Sequence, residues 1–305
     1  MKIAILSNGN ANYSTKRLKQ VALERGHHVD VIKYKNCFVS IDRKDPKVIY
    51  KGKAIDLKNY QAIIPRIAVS MTKYGTAVVR QLEREGIFST GSALAIARSR
   101  DKLRATQILA RSVDIPKTVF SRNSTDIDSI LEEVGGAPVI IKLASGTHGN
   151  GVVLAENKKA AKSVLQAFYL RSNEEGTNIL VQEFIKESAG TDIRAFVVGG
   201  RVVASMQRQS LDDDFRSNLH QSGTGIRVKL TEEERKVAIK AAKAVGLSVA
   251  GVDIMRSNRG PLVLEVNASP GFGIEKVTGR DVATPIIEYI ERNAKRGSKK
   301  DKIGA

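Results

Sequence analysis

The 305-residue sequence has no tryptophan, one cysteine and only 5% aromatic residues. A single cysteine, Cys37, cannot form an intrachain disulfide, which fits a reducing compartment, so we expect a cytoplasmic protein. The low aromatic content argues against stacking platforms for single-stranded nucleic acid. No apolar run is long enough to span a bilayer, and the N-terminal run stops at Ser7, too early for a signal-peptide core. We therefore expect no membrane partner.

Positive charge is in excess. The chain has 50 Lys and Arg against 32 Asp and Glu, a formal net charge of +18. Such a surplus attracts anionic partners, among them ATP, acidic peptides and ribosomal RNA. A generally basic proteome would explain it equally well. The hydrophobic fraction of 42% is sufficient for a folded core of one large domain or two to three small ones.

The N-terminal segment has the pattern of an α/β fold. A buried strand at 2–6, a helix that ends at Gly26 and a second strand at 28–32 predict a parallel sheet covered by helices. The loop between them lacks G-x-G-x-x-G, so it carries no dinucleotide fingerprint. Arg66 follows a short buried strand at 62–64, at the edge where ligands gather in open α/β sheets. We expect a domain boundary near Gly91 and one helix from about 93 to 111.

Three oxygen-bearing side chains near the C-terminus form the best candidate metal site. Glu265 and Asn267 are two residues apart on a predicted strand and therefore project from one face. A turn at 256–260 would place Asp253 opposite Glu265. Two carboxylates and one amide suit Mg²⁺ shared with phosphates, because Mg²⁺ keeps waters and takes few protein ligands. Taken alone, an ordinary surface hairpin with acidic residues is a serious alternative.

A second candidate segment is a lysine followed by a glycine-rich loop. Lys142 interrupts a β-branched run, where an unpaired lysine is costly. Gly146, Gly149 and Gly151 allow backbone N–H groups to approach a polyphosphate, although the loop is not a Walker A sequence. A plain glycine-rich hairpin explains the pattern equally well. Lys102, on a basic helix, is by itself more typical of a solvated surface.

Other segments carry weaker signals. Residues 182–185 could form an adenine-binding edge through main-chain groups, with Asp192 able to reach a ribose. Thr231 and Glu234 have the spacing of a capping box at a helix start. No serine or cysteine nucleophile motif and no zinc spacing among the four histidines is present.

In this order, the motifs resemble the ATP-grasp superfamily, most closely the RimK-type α-L-glutamate ligases, over residues 1 to about 292. The resemblance rests on the following blocks: Ile64-Pro65-Arg66-Ile67, Ala95-Ile96-Ala97-Arg98, Arg100-Asp101-Lys102, Gly135-Gly136-Ala137-Pro138, Gln182-Glu183-Phe184-Ile185-Lys186-Glu187, Asp214-Phe215-Arg216-Ser217-Asn218-Leu219-His220, Val249-Ala250-Gly251-Val252-Asp253-Ile254 and Glu265-Val266-Asn267-Ala268-Ser269-Pro270-Gly271. The implied fold is ATP-grasp, α/β and α+β, with a Rossmann-like pre-ATP-grasp domain at 1–92. Lobes at 93–178 and 179–296 and a basic tail at 297–305 follow.

The resemblance also implies residue roles. Lys102 and Lys142 would contact the ATP phosphates, and Glu183, Phe184 and Asp192 the adenosine. The remaining ATP-binding positions are Gly146, Gly149, Gly151, Arg216, Ser217 and Asn218. Arg208, Arg216 and Asn218 would be catalytic, while Asp253, Glu265 and Asn267 would bind two Mg²⁺ or Mn²⁺ ions. Arg66, Ser269 and Gly271 would lie at the substrate.

The implied reaction joins a carboxylate to an amine through an acyl phosphate, with ADP and phosphate as products. We expect glutamate to be added to the C-terminal glutamate of a small-subunit ribosomal protein, or to be polymerised, by a homo-oligomer (a tetramer by resemblance) working near ribosomes. Two segments depart from the family pattern: the glycine-rich loop, which has His148 and Asn150, and the loop Phe272-Gly273-Ile274-Glu275, which is shortened. The alternatives are a ligase for another amino acid or a cofactor or carrier acceptor, and a non-enzymatic ribosome- or RNA-binding protein.

Overall fold

The computed structural model describes residues 1–9, 11–55, 59–122, 126–143, 151–170, 178–210 and 224–294. Several predicted site residues lie outside these ranges, namely Gly146, Gly149, Arg216, Ser217 and Asn218. The predicted basic tail at 297–305 lies outside them as well. Within the described residues, no helix is both long and apolar enough to cross a membrane.

The described residues form helices and strands throughout. In chain order, the strands are β1 (Lys2–Leu6), β2 (His28–Ile32), β3 (Cys37–Ser40), β4 (Lys47–Tyr50), β5 (Lys53–Ala54), β6 (Ala62–Pro65), β7 (Phe88–Ser89), β8 (Thr118–Ser121), β9 (Val139–Leu143), β10 (Val152–Ala155), β11 (Ile179–Glu183), β12 (Thr191–Val198), β13 (Arg201–Gln209), β14 (Thr224–Arg227), β15 (Val249–Ser257) and β16 (Gly260–Asn267). The helices are α1 (Tyr13–Glu24), α2 (Thr72–Arg84), α3 (Ala93–Arg100), α4 (Lys102–Ala110), α5 (Ile127–Glu133), α6 (Lys158–Leu170), α7 (Glu232–Val245), α8 (Gly273–Thr278) and α9 (Ala283–Asn293).

The N-terminal sheet is parallel, with strand order β2-β1-β6-β7. Residues 3–6 of β1 form an unbroken apolar run, as expected for a strand that is buried on both faces. On one face, Ile3 and Ile5 pack with Ile286 and Ile290 of α9. On the other face, Leu6 belongs to the core that includes α2. The predicted βαβ start is therefore confirmed.

A second sheet, entirely antiparallel, has the order β10-β9-β11-β8. One face is covered by α5 and α6, and Ile141, Val181 and Leu165 are among its buried core residues. The strand β11 lies between β9 and β8 and so completes this sheet. The domain boundaries proposed from the sequence stay predictions.

The C-terminal sheet is antiparallel with the order β14-β13-β12-β15-β16. Its apolar face packs on α7, where Ala238, Ala241 and Val245 are fully buried. The predicted capping box is confirmed: Glu234 N donates to Thr231 Oγ1 at 3.1 Å, and Thr231 N donates to Glu234 Oε2 at 2.8 Å. The apolar face thus fixes α7 and leaves the opposite face of the sheet available for polar side chains.

The single helix predicted from 93 to 111 is wrong. The chain forms α3 and α4, separated at Asp101, whose backbone is extended at φ −86° and ψ 104°. The Asp101 carboxylate accepts a hydrogen bond from Arg104 N at 3.0 Å. An aspartate that binds a free backbone N–H favours a helix start over a helix interior. The break makes Arg100 the last residue of α3 and Lys102 the first residue of α4.

The segment after β16 is tied to the first helix of the chain. Glu275 is buried and accepts hydrogen bonds from the Tyr13 hydroxyl at 2.9 Å, from Arg17 Nε at 3.3 Å and from Val282 N at 2.9 Å. Phe272 N donates to Ser14 Oγ at 3.2 Å. These bonds hold the loop beyond Asn267 against the N-terminal sheet and its helices.

Candidate functional site

The candidate site lies on the polar face of the C-terminal sheet. Alternation along β12, β13, β15 and β16 places one row of polar side chains on the same side. We call this row the polar face; it consists of Asp192, Arg194, Arg208, Asp253, Glu265 and Asn267. Three carboxylates and two guanidinium groups therefore meet on neighbouring strands.

The predicted metal trio is brought together as expected. β15 and β16 form a hairpin in which Asp253 pairs in register with Glu265 and Gly251 pairs with Asn267. Asn267 Nδ2 donates to Glu265 Oε1 at 2.9 Å, so its carbonyl oxygen stays available as an acceptor. Asp253 is only 2% exposed, whereas Glu265 is exposed. The predicted hairpin and its pairing are confirmed.

Asp253 is neutralised by two arginines. Arg194 Nη2 donates to Asp253 Oδ2 at 2.7 Å, and Arg194 Nε also bonds this carboxylate. Arg208 Nη2 lies 2.9 Å from Asp253 Oδ2. Burial by itself raises the pKa of Asp253, but the two arginines outweigh burial and lower the pKa to about 2. The carboxylate is therefore ionised and held in a fixed position.

Arg208 links Asp253 to Asp192. Its side chain is buried, and Arg208 Nε donates to Asp192 Oδ1 at 2.6 Å. Burial raises the pKa of Asp192 despite the opposing charge of Arg208. Sequence reasoning placed Arg208 at the reacting groups and Asp192 at the ribose; the structure places both beside Asp253 in one buried ionic network. Their assigned roles stay predictions.

Arg194 was missed by the sequence reasoning. The available signal was its position two residues after Asp192 on the same strand, which places both on one face. Gly251 makes its approach possible: a Cβ atom there would lie 3.1 Å from Arg194 Cδ and 2.9 Å from Pro270 Cβ. The glycine therefore lets Arg194 lie close to β15 on its way to Asp253.

Two lysines lie opposite the carboxylates. Lys142 Nζ donates to Gln182 Oε1 at 2.7 Å, and Lys102 Nζ donates to Leu143 O at 2.9 Å. Burial lowers the pKa of Lys142 to about 8, with Glu265 opposing the shift and Lys102 adding to it. Burial also lowers the pKa of Lys102, again opposed by Glu265. Both lysines therefore lie within electrostatic reach of Glu265, as the prediction of one shared site requires.

The predicted adenine edge lies at the end of β11. Glu183 N donates to Lys117 O at 3.0 Å, and the Glu183 carboxylate accepts from Lys117 N at 2.6 Å and pairs with Arg259. Phe184 follows and is half-buried. All three of these contacts of Glu183 are within the protein, so its role at adenine stays a prediction. Gln182, which fixes Lys142, is buried on the same strand.

The predicted substrate residues lie between the N-terminal sheet and the loop after β16. Arg66 Nη2 donates to Pro270 O at 2.8 Å, and its guanidinium lies 5.3 Å from the centroid of the Phe272 ring. The Ser269 hydroxyl oxygen is buried without a hydrogen-bond partner among the described residues, while Gly271 is exposed. Of the predicted glycine-rich loop, Gly151 is described, with φ +73°.

The donor set on the polar face fits Mg²⁺. Asp253, Glu265 and Asn267 offer hard oxygen atoms on adjacent register positions, which Mg²⁺ prefers. Among the described residues, no group of three or more His, Cys, Asp or Glu side chains is placed to hold a metal. A Mg²⁺ ion here would therefore also need amide, water or phosphate oxygens, as is usual for ions shared with a nucleotide.

Comparison with known proteins identifies related sequences over the whole chain. A family model described as the RimK-like ATP-grasp domain matches residues 99–290, and one described as the RimK PreATP-grasp domain matches residues 1–96. A probable alpha-L-glutamate ligase from a Picosynechococcus species is 57% identical over 305 residues, 99% of each chain. Probable alpha-L-glutamate ligases from Nitrosococcus oceani and Coxiella burnetii are each 54% identical, over 97% of each chain.

Solved structures show the same fold at low sequence identity. The ATP-grasp ligase PsnB complexed with its minimal precursor aligns with a TM-score of 0.72 and 20% identity, covering 95% of this chain and 98% of PsnB. A RimK domain protein ATP-grasp from Sphaerobacter thermophilus aligns with a TM-score of 0.69 and 19% identity, over 95% and 99% of the two chains. The expected ATP-grasp fold with an N-terminal pre-ATP-grasp domain is confirmed.

Proposed function

The chain belongs to the RimK-like ATP-grasp family, whose members are ATP-dependent ligases, and from this premise we propose that it adds L-glutamate to the C-terminal glutamate of an acidic protein tail. The tail we propose is that of a small-subunit ribosomal protein, with one or several glutamates added. The 54–57% identical relatives named probable alpha-L-glutamate ligase support glutamate as the amino acid. The net charge of +18 supports an acidic acceptor.

The observation that carries the proposal is the position of Glu265. It pairs in register with Asp253 on one side and lies within electrostatic reach of Lys102 and Lys142 on the other. Carboxylates suited to a metal ion thus face lysines suited to phosphates. Phosphoryl transfer depends mainly on positioning and charge neutralisation, which such an arrangement supplies without a protein nucleophile.

In the proposed reaction, an oxygen of the acceptor carboxylate attacks the γ-phosphorus of ATP. The bond to the β-phosphate oxygen breaks, giving ADP and an acyl phosphate. The amine nitrogen of glutamate then attacks the acyl carbon, phosphate leaves, and the nitrogen loses a proton as the amide forms. Lys142 and Lys102 hold the phosphates, and Arg194 and Arg208 neutralise charge on the polar face.

Asp253, Glu265 and Asn267 are the residues that would hold Mg²⁺. When bound, the ion supplies charge neutralisation on phosphate oxygens. The lysine contributions are electrostatic as well, so the lysines must be protonated to act. Gln182 contributes to phosphate binding indirectly, because its Oε1 atom accepts a hydrogen bond from Lys142 Nζ and fixes the position of that atom.

The test combines purified protein, Mg²⁺, ATP and glutamate with a synthetic peptide that ends in glutamate. We expect ADP release and a product heavier by one or more glutamyl residues. Each other amino acid is tested in parallel, together with cofactor-like and carrier acceptors. Release of AMP in place of ADP would contradict the acyl phosphate route, and absence of nucleotide turnover under every condition would refute the proposal.

A variant pair links the activity to the polar face. Glu265→Gln should abolish turnover because it removes a metal-binding charge while keeping the side-chain shape. Glu132→Gln is the matched control, since Glu132 is exposed on α5. Full activity in Glu265→Gln would show that the carboxylate is dispensable and that the site is wrongly placed.

A further inference from the structure

Two arginines meet at the edge of the N-terminal sheet, beside the predicted metal site. Arg66 directly follows β6, and Arg100 ends α3. Arg100 Nη2 donates to Ile67 O at 3.0 Å, next in sequence to Arg66. Burial lowers the pKa of Arg66 to about 10, and the charge of Arg100 lowers it further, so the two guanidinium groups interact electrostatically. We call them the arginine pair.

The arginine pair is held by neutral groups within the described residues. The hydrogen bond of Arg66 goes to the carbonyl oxygen of Pro270, and that of Arg100 goes to the carbonyl oxygen of Ile67. Arg100 Nε is buried and has no hydrogen-bond partner there. A buried, unsatisfied donor on a charged group is costly, so this geometry is suited to an anionic ligand.

The loop after β16 adds a third group at the same place. Pro270, which receives the hydrogen bond from Arg66, is preceded by Ser269, whose buried hydroxyl has no partner among the described residues. The hydrogen bond from Arg66 therefore joins the end of β6 to this loop, one residue away from a buried hydroxyl that has no partner among the described residues. The loop is held in place from its other end by Ser14 and Glu275.

The chemistry of the donors selects the ligand class. Guanidinium groups bind carboxylates and phosphates through paired N–H donors. The phosphates already have candidate partners in Lys142, on β9 of the second sheet, and in Lys102, at the start of α4. The arginine pair comes from the N-terminal sheet and α3, and Arg100 also lies within electrostatic reach of Glu265. A carboxylate bound there would be next to the reacting groups without being one of them.

We propose that Arg66, Arg100 and Ser269 form the specificity site for the side-chain carboxylate of the incoming free glutamate. This inference rests on the proposed function. It explains how the site would select an amino acid with a second carboxylate. A site with charged donors discriminates strongly against an analogue that leaves those donors unpaired.

The test measures steady-state kinetics of Arg100→Gln with glutamate and with glutamine. We expect the KM for glutamate to rise about tenfold or more and the KM for ATP to stay within about twofold of the wild-type value. The ratio of kcat/KM for glutamate to kcat/KM for glutamine should fall. Arg98→Gln, two residues earlier on α3, is the matched control and should behave as wild type. Arg100→Lys, which keeps the charge, should recover part of the loss.

The outcomes separate this inference from the proposed function. Wild-type protein that turns over no glutamate refutes the function. Wild-type turnover combined with an unchanged glutamate preference in Arg100→Gln refutes the specificity site alone. A rise in the KM for ATP, with glutamate unaffected, would assign the arginine pair to phosphate instead. If Arg100→Gln does not fold, Ser269→Ala, which keeps both charges, must still raise the KM for glutamate.

Discussion

Replacing Arg208 by methionine should strongly destabilise the C-terminal sheet. Arg208 is 4% exposed and is shared by the carboxylates of Asp192 and Asp253. The variant leaves Asp253 with Arg194, but it removes both hydrogen bonds that Asp192 receives from Arg208. Breaking a buried ion pair by removal of one partner costs about 3–5 kcal/mol. The lower figure corresponds to a melting temperature lower by about 6–12 °C.

The matched control is Arg256→Met on β15. Arg256 Nε donates to Glu234 Oε1 at 2.6 Å, in the same two-pronged geometry, but its side chain is 48% exposed. Solvent screens the exposed guanidinium, and Glu234, whose side chain is 4% exposed, keeps its hydrogen bond from Thr231 N, so we expect this variant to lose only about 1 kcal/mol. Unfolding in urea is followed by far-UV circular dichroism, because the chain has no tryptophan for fluorescence.

A double variant tests the physical cause. Asp192→Asn combined with Arg208→Met removes the orphaned carboxylate, so it should be more stable than Arg208→Met alone. The reasoning is refuted if Arg208→Met and Arg256→Met lose equal stability. It is also refuted if the double variant is less stable than Arg208→Met.

Three further predictions follow from buried or capped groups. Because burial lowers the pKa of Lys142 to about 8, kcat/KM for ATP should fall about tenfold per pH unit above pH 8. Lys142→Arg should flatten this decline, whereas a wild-type profile that stays level to pH 10 would contradict the role of protonated Lys142. Thr231→Ala should lower the free energy of unfolding in urea by about 1 kcal/mol, because the capping box is lost. Ser163 is exposed on α6, so Ser163→Ala should lower it by less, and equal losses would contradict a stabilising role of the cap. Burial raises the pKa of the Cys37 thiol to about 11, so a thiol reagent at pH 8 should label Cys37 only after unfolding. Rapid labelling of the native protein would show that the strand β3 opens readily.

The metal hairpin could be predicted because its information is local. Alternation along 261–267 and a turn at 256–260 bring Asp253 close to Glu265, while their observed pairing also depends on a β-bulge between Asp253 and Ile254 that shifts the register by one residue. The capping box at Thr231 and the βαβ start were predictable for the same reason. In each case, residues close in sequence determine the geometry.

The ionic network and the arginine pair depend on contacts that sequence spacing does not encode. Arg194 and Asp253 are 59 residues apart, and Arg66 and Pro270 are 204 apart. The break at Asp101 was missed because helix-forming residues continue on both sides, and only the carboxylate's bond to Arg104 N shows that the helix restarts there. The family resemblance supplied roles for some of these residues but not their partners. The number of metal ions, the use of Mn²⁺ and the tetramer stay predictions.

The packing of α9 on the N-terminal sheet has a consequence for protein synthesis. Ile3, Ile5 and Ile64 bury one face of that sheet against Ile286 and Ile290, which the ribosome adds only after β16. Until then, α1 covers only part of the apolar surface of the first strands of the nascent chain. Exposed apolar surface of this kind is prone to aggregation and is bound by chaperones. Completion of the N-terminal sheet therefore waits for the C-terminal helix, and ribosomes that stall before α9 would release chains that cannot close their first core.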